Sequence, residues 1–372
     1  MALQAARRAV EHRTHLASLF PWTKAPLVVG APMRVFSGPA MAVAISRAGG
    51  LGFIGPGESA ATTDADLVEA KKMLTAKPLS SRSSSSSSSN DDDDVLPVGI
   101  GFQVWNGSLP AAVAAVAAHR PCAVWLFAPR DGQPQLNEWM AQLRAACPAT
   151  QIWVQVGTLQ EAVEAAAQSS TTPPADALVL QGAEAGGHGR ATDGVGIISL
   201  LPEVADALGS STDTADIPLL GAGGIADGRG AVAALGLGAS GVVLGTRFLA
   251  ATEARINPAY QAEVVRATDG AAHTGRTHLY NHLRGTFGWP AQWSPRGLLN
   301  QSWADQEAGV PFDTLKERHD AAVKQGGKAA WGLEGRTATY ASASVGLIRS
   351  VDGAGAIVEK LHSEIDDIKQ LL

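Results

Sequence analysis

Cysteine is scarce in this sequence, and long hydrophobic runs and an excess of positive charge are lacking. The 372 residues include only Cys122 and Cys147, which excludes a disulfide framework and favours a reducing, cytoplasmic compartment. Neither cysteine lies in a Cys-x-x-Cys pair or near a histidine at ligand spacing, so we predict no metal site. No apolar run approaches the roughly 20 residues of a membrane-spanning helix. The net charge of −6 excludes a basic surface for nucleic acid or for an anionic membrane.

Short apolar runs alternate with alanine-rich helical stretches along residues 25–269. This alternation is typical of βα units that form a parallel sheet. The apolar runs predict eight strands, at residues 25–33, 51–55, 96–103, 123–129, 151–157, 177–182, 217–224 and 241–248. A helix is predicted after each strand, at residues 39–48, 64–76, 109–119, 135–146, 159–168, 198–208, 227–237 and 258–267.

Eight βα units fit two α/β architectures, a closed (β/α)8 TIM barrel and an open doubly wound sheet. Strand counting alone does not separate them. Glycines crowd the C-terminal ends of predicted strands six, seven and eight, where barrels place phosphate ligands. We therefore predict the barrel.

The remaining segments flank or interrupt the predicted barrel at residues 25–269. The arginines of the N-terminal extension, residues 1–24, resemble those of a mitochondrial presequence, although a short solvated helix is the plainer interpretation. Residues 79–94 contain serine and aspartate runs and are predicted to be a disordered surface loop. Residues 270–354 lack clear periodicity and predict an irregular, partly helical appendage over the barrel mouth. The apolar spacing in residues 355–372 predicts a helix on the barrel exterior.

Two glycine-rich turns provide the strongest functional signal. The segment GAGGIADGRG (residues 221–230) ends predicted strand seven and leads into a helix, and Gly245-Thr246 follows in strand eight. Backbone N–H groups without obstructing side chains can converge on one phosphate from two adjacent loops. Tight βα turns are the alternative explanation of the same glycines. We predict a phosphate site that includes Gly223 and Gly224, while no GxGxxG pattern supports a dinucleotide site.

A second signal is the segment QGAEAGGHG (residues 181–189), at the end of predicted strand six. It places His188 in a glycine-flanked loop at the barrel mouth. There the glycines let the backbone approach a planar ligand while the imidazole faces the cavity. A solvated loop histidine is the plain alternative. We predict that His188 is catalytic.

Three further strand ends carry residues that suit a flat ring. Ala31-Pro32-Met33 closes predicted strand one as a stiff edge with few hydrogen-bond donors. Gln103 and Gln155 end strands three and five, and each amide offers both a donor and an acceptor. A ring with a polar edge would satisfy these amides, and so would a network with neighbouring loops.

In these motifs the sequence resembles the nitronate monooxygenase family, formerly called 2-nitropropane dioxygenases. The resemblance extends from about residue 15 to residue 309 and includes APM, AGGLGFIG, GFQVW, VWLFAP, WVQVGT, QGAEAGGHG, GGIADGRG and LGTRF in this order. The segment LRGTFGWP (residues 283–290) is similar to the fungal branch. Two features depart from the family pattern, the serine-aspartate insert and Arg34-Val35-Phe36 after APM. The second leaves the shape of the substrate pocket open.

The resemblance implies an FMN-dependent enzyme that oxidises alkyl nitronates with O₂ to a carbonyl compound and nitrite. His188 matches the catalytic histidine of the family. It would either donate a hydrogen bond to the nitro oxygens or remove the α-proton of a neutral nitroalkane. Relatives carry lysine at the position of Gln155. The residues that the resemblance assigns to the FMN site are Ala31, Pro32, Met33, Gln103, Gln155, Gln181, Gly186, Gly187, Ala222, Gly223, Gly224, Gly245 and Thr246.

Two other functions fit the same barrel. An FMN-dependent enoyl reductase, or another NAD(P)H-linked flavin oxidoreductase, needs a nicotinamide site, and such sites do not require a motif. A non-catalytic FMN-binding protein would retain its flavin without turnover. Rapid reduction of the flavin by NAD(P)H would favour the first function. A coloured protein that is inert towards every nitronate would favour the second.

Overall fold

The structure is a computed structural model, and it describes residues 2–79, 95–167, 173–214 and 216–372. The predicted disordered insert therefore lies outside the described residues, except for Leu79, which is buried.

Parallel strands form a closed barrel in the part of the chain that the structure describes. Eight strands follow one another around it in chain order, and the last pairs with the first through Val29 and Val243. The closed ring confirms the predicted (β/α)8 barrel, because an open sheet would leave two edge strands unpaired. The strands of the described residues are β1 (Leu27–Gly30), β2 (Leu51–Ile54), β3 (Leu96–Gln103), β4 (Pro121–Phe127), β5 (Gln151–Val156), β6 (Ala177–Gln181), β7 (Gly187–Arg190), β8 (Leu219–Ala222), β9 (Gly241–Leu244), β10 (Thr274–Arg276) and β11 (Trp293–Leu298). All except β7, β10 and β11 belong to the barrel.

Seven of the eight barrel strands end before the last residue that the sequence predicts, and the difference is clearest at the glycine turns after β8 and β9. Strand β8 stops at Ala222 because Gly223 and Gly224 have φ values of +101° and +73°, which interrupt an extended ladder. Strand β9 stops at Leu244, and Phe248, predicted as strand, lies in a short helix. Both predicted boundaries were wrong because an apolar run does not show where the backbone turns.

Three aromatic side chains pack together within the barrel. The Phe53 ring centroid lies 5.4 Å from that of Trp125 and 5.2 Å from that of Trp153. Glycine makes room for them, since a Cβ on Gly99 would lie 2.3 Å from the Phe53 ring. All three aromatic side chains are almost fully buried. Large and small residues on adjacent strands thus interdigitate and fill this part of the core.

Helices separate the strands, and several begin at residues that cap them. The Asp227 side chain accepts hydrogen bonds from the N–H groups of Arg229 and Gly230, which starts the helix after β8. The helices of the described residues are α1 (Ala2–Leu19), α2 (Pro39–Arg47), α3 (Ala60–Ala76), α4 (Leu109–His119), α5 (Gln133–Ala146), α6 (Leu159–Ala166), α7 (Ile197–Ser210), α8 (Gly228–Gly236), α9 (Thr246–Leu249), α10 (Pro258–Arg266), α11 (Gly270–His273), α12 (Leu279–Leu283), α13 (Gln301–Glu307), α14 (Phe312–Gln325), α15 (Gly327–Ala330) and α16 (Ala354–Leu371).

The terminal helices pack on the outside of the barrel. Helix α1 lies against α7, and Nη2 of Arg13 donates to the carbonyl of Ala239 at 3.0 Å. Helix α16 packs against α2 and α8, and its apolar side chains, Ile357 and Leu361 among them, are buried there. Each amphipathic helix thus buries its apolar face against the barrel helices.

Strands β10, β11 and β7 form a separate antiparallel sheet in that order, and Gly187 and His188 of β7 line the cavity at the C-terminal ends of the barrel strands. It differs from two predictions, because His188 was expected in a loop, and residues 270–354 were expected to be irregular and partly helical. His188 faces Pro295 in the register of β7 and β11. The paired segments are about 100 residues apart in sequence, short and rich in glycine. They therefore lack the alternating pattern by which strands are recognised.

Candidate active site

A cavity of about 1030 Å³ opens at the C-terminal ends of the barrel strands. This volume includes the solvent-open space at the mouth of the cavity. All fourteen residues predicted for the site line this cavity. They are Ala31, Pro32, Met33, Gln103, Gln155, Gln181, Gly186, Gly187, His188, Ala222, Gly223, Gly224, Gly245 and Thr246. Residues that the sequence did not indicate complete the wall, including Trp125, Phe127, Tyr340 and Ser342.

The amide of Gln155 has a defined orientation. Nε1 of Trp125 donates to Oε1 of Gln155 at 3.1 Å, and both side chains are buried. An indole N–H only donates, so the amide oxygen must face Trp125. The sequence did not indicate whether Gln155 donates or accepts a hydrogen bond in the cavity. The structure makes its NH₂ group the donor that a ligand can use.

The glycine turns leave room for a ligand at two points. A Cβ on Gly187 would meet no atom within 4 Å, and a Cβ on Gly245 would meet only Ala31 and Met33, at 3.8 Å or more. Thr246 Oγ1 accepts a hydrogen bond from the backbone N–H of Ser342 at 3.0 Å, which leaves the hydroxyl proton free to donate. These positions form a small-residue cradle with polar donors beside it.

The imidazole of His188 stacks on Trp289 at the barrel mouth. The ring centroids are 3.6 Å apart and the planes differ by 9°. Trp289 is covered in turn by Trp105, at a centroid distance of 4.8 Å, and Arg130 lies over Trp105. Arg130 also donates to the carbonyl of Gly288 at 3.0 Å, so the loop that carries Trp289 is tied to the barrel.

Polar groups surround the edge of the His188 ring. Nδ2 of Asn281 lies 3.0 Å from its Nε2, and Tyr340 approaches the ring edge-on with centroids 5.8 Å apart. Burial lowers the pKa of His188 well below its ordinary value, and the charge of Arg284 lowers it further. Burial raises the pKa of Tyr340. Near neutral pH the imidazole is therefore uncharged and the phenol is protonated.

Arginine side chains hold the segment that leads to His188. Arg276 on β10 donates to the carbonyls of Ala183, Ala185 and Gly187, and Nε of Arg296 also donates to Ala183. Burial lowers the pKa of Arg276 to about 10, so it stays charged at neutral pH. These bonds satisfy backbone carbonyls that belong to no barrel strand, and they fix the entry into β7.

Four residues near His188 were missed by sequence reasoning. Arg284 and Trp289 lie in the segment LRGTFGWP, which was recognised as a motif without an assigned role. Asn281 and Tyr340 carried no signal, since isolated polar residues in an irregular segment are common. Only the fold brings all four to the histidine.

The part of the chain that the structure describes contains neither a cluster of metal ligands nor a membrane-spanning helix. No group of three or more His, Cys, Asp or Glu side chains there is arranged to hold a metal ion. None of the helices in the described ranges is long and apolar enough to span a membrane.

A closed parallel barrel with a glycine-lined cavity at its C-terminal strand ends is typical of enzymes that bind phosphorylated ligands. The sequence profile of the family described as nitronate monooxygenase matches residues 18–279. Nitronate monooxygenase npaC of Metarhizium robertsii is 59% identical over 354 residues, which cover 95% of each chain. A nitronate monooxygenase of Neurospora crassa is 35% identical over 364 residues, covering 94% of this chain and 92% of the relative. The chain belongs to the nitronate monooxygenase family.

Solved structures share the fold. A nitroalkane oxidase from Streptomyces ansochromogenes superposes with a TM-score of 0.70 at 24% identity, covering 96% of this chain and 99% of the other. FabK from Thermotoga maritima superposes with a TM-score of 0.68 at 25% identity, covering 96% and 97%. Membership of the family makes the chain an oxidoreductase and implies a flavin cofactor.

Proposed function

We propose that the protein holds FMN in the cavity and oxidises alkyl nitronates with O₂ to a carbonyl compound and nitrite. One observation carries the proposal. A single cavity brings together two glycine turns, two glutamine amides and His188 at the C-terminal ends of the barrel strands. The names of the relatives support the same substrate class.

The residues present fit a flavin mononucleotide. Gly223, Gly224, Gly245 and Thr246 would hold its phosphate, because all four line the cavity, glycine N–H groups can approach an anion closely, and the threonine hydroxyl can donate. The NH₂ group of Gln155 would donate a hydrogen bond to the polar edge of the flavin ring. These roles remain proposals, and the donor chemistry of the cavity supports them.

The cavity favours FMN over FAD. The segment around Ser342 bridges the end of β9 and the segment after β6, because the N–H of Ser342 donates to Thr246 Oγ1 and that of Ala343 to the carbonyl of Glu184 at 2.9 Å. A Cβ on Gly186 would lie 2.6 Å from the backbone of this segment. The segment around Ser342 therefore covers the cavity beside Thr246, which supports the smaller cofactor.

When bound, the flavin supplies electron transfer between the nitronate and O₂. The residues of the chain bind and cover the reactants. His188, neutral at physiological pH, contributes a polar contact at the cavity wall, and the Trp289–Trp105 stack covers it from solvent. Excluding water in this way strengthens the polar contacts within the site.

The test uses the purified protein. Cofactor released by heat is identified by chromatography, and turnover is followed as O₂ consumption and nitrite formation with a preformed nitronate. FMN and nitrite are expected. Recovery of FAD, or a colourless protein that ignores added FMN, would contradict the cofactor. Rapid anaerobic reduction by NAD(P)H without nitrite would favour a reductase, and bound FMN without any turnover would favour a non-catalytic protein.

The proposed partners are small molecules, the nitronate and O₂. Cys122 and Cys147 are buried and form no disulfide, which supports a reducing compartment such as the cytoplasm.

A further inference from the structure

A buried asparagine outside the cavity wall contacts His188, the candidate catalytic residue. Asn281 lies on α12, is only 1% exposed, and does not belong to the cavity wall. Its Nδ2 lies 3.0 Å from Nε2 of His188. The contact therefore comes from outside the cavity wall and occupies Nε2 of the imidazole.

Neighbouring side chains decide which way the Asn281 amide points. Nη2 of Arg284 donates to Oδ1 of Asn281 at 3.1 Å, and the Tyr340 hydroxyl donates to the same oxygen at 3.2 Å. Arg284 also donates to the Tyr340 hydroxyl. A guanidinium has no acceptor, so a reversed amide would place its NH₂ group against N–H donors. The oxygen of Asn281 consequently faces Arg284, and its nitrogen faces His188.

This orientation determines where His188 carries its proton. The NH₂ group of Asn281 only donates, so Nε2 of His188 must accept and is unprotonated. The ring is neutral because burial lowers its pKa, and its single proton is therefore on Nδ1. Nδ1 has no hydrogen-bond partner among the residues described, and His188 lines the cavity. The Nδ1–H group is the one available to a ligand.

We propose that Asn281 is a positioning residue that holds His188 as the Nδ1–H tautomer, and that this tautomer selects anionic nitronates over neutral nitroalkanes. The selectivity rests on the proposed function. A nitronate carries negative charge on its oxygens, which accept the Nδ1–H bond. A neutral nitroalkane must first lose its α-proton: the C–H bond breaks, the electron pair stays on the nitronate, and a base takes the proton. Nδ1 is already protonated, and the Nε2 lone pair is engaged by Asn281.

The variant Asn281→Asp should favour the opposite tautomer of His188, because aspartate has almost the same shape as asparagine. A carboxylate only accepts, so Nε2 of His188 must donate to it, and the lone pair of Nδ1 then faces the cavity. Arg284 and Tyr340 can still donate to the other carboxylate oxygen. Asn281→Ala is the matched control, because it removes the constraint without imposing the opposite tautomer.

¹⁵N NMR of histidine-labelled protein reads the protonated nitrogen without any turnover, and a spectrum of His188→Asn identifies the resonances. At about pH 8.5, well above the ordinary histidine pKa, we expect Nδ1–H in the wild type, Nε2–H in Asn281→Asp and a mixture in Asn281→Ala. A wild type with Nε2–H, or an Asp variant with the wild-type tautomer, would overturn the positioning role.

Kinetics test the selectivity separately. We expect the ratio of kcat/KM on a neutral nitroalkane to kcat/KM on its nitronate to rise at least about tenfold in Asn281→Asp, a difference of roughly 1.4 kcal/mol. Rates are normalised to bound flavin. A switched tautomer with an unchanged ratio would overturn the selectivity. Absence of nitrite from every substrate with wild-type protein would instead refute the proposed function, while the NMR result would still decide the tautomer.

Discussion

A carboxylate at Gly245 should weaken FMN binding through its charge. Gly245 has a φ of −108°, which other residues also adopt, and a side chain there would enter open space beside Ala31 and Met33. Gly224 is a poorer position, because its φ of +73° strains any side chain. Gly245→Asp therefore tests the proposed phosphate site without a steric clash.

The magnitude follows from the distance and the dielectric. Two unit charges of the same sign at roughly 4 Å repel by about 1 kcal/mol in water and by about 4 kcal/mol at an effective dielectric constant of about 20. At about 1.4 kcal/mol per tenfold change in Kd, FMN affinity should fall by about 5-fold to 1,000-fold. Tyr340 and Ser342, from the segment that follows the barrel, line the cavity and shield it partly from water. We therefore expect a value in the upper half of this range.

The assay is a fluorescence titration of the apoprotein with FMN and with riboflavin, which lacks the phosphate. Gly245→Asn has the same shape as Gly245→Asp and no charge. The Asp variant should bind FMN more weakly than the Asn variant, whereas the two should bind riboflavin equally. Equal Kd values for FMN, or an equal loss of affinity for both ligands, would refute the phosphate site at this turn.

Three further substitutions test the surroundings of the site. His188→Asn should keep the yellow colour and lower kcat on nitronates at least about tenfold, and full activity would remove the histidine from the mechanism. Burial lowers the pKa of His188 in the folded protein, so the unfolded chain binds a proton at this histidine more readily. Below about pH 6.5 this difference lowers the free energy of unfolding of the wild type. The Tm of His188→Asn should therefore fall less on acidification than that of the wild type. Trp289→Leu removes a ring stack of about 0.5–1.5 kcal/mol and should lower kcat about 2- to 10-fold at unchanged flavin content, whereas an unchanged kcat would contradict a role of the stack. Arg276→Lys leaves buried carbonyls short of donors and should cost about 1–3 kcal/mol in thermal or urea unfolding; the control Arg318→Lys, at the surface, should change little.

The sequence by itself was sufficient for the barrel and for most of the cavity wall. Strands buried on both faces appear as short apolar runs, and a parallel barrel requires a helix after each one, so the alternation is a local signal. The glycines at residues 223, 224 and 245 and the glycines before His188 are also local, because each lies at the end of its own strand. The barrel brings these ends together at one rim, and residues predicted separately therefore line one cavity.

Only the tertiary structure decided what surrounds His188. Strand β7 exists because a segment about 100 residues away pairs with it, and neither segment has a period that predicts this. Asn281, Trp289 and Tyr340 reach the imidazole from that same distant region. The tautomer of His188 depends on which atom of Asn281 faces it, and that atom is selected by Arg284. Such a choice follows from donors and acceptors that meet in space, whereas a sequence specifies only which groups each residue carries.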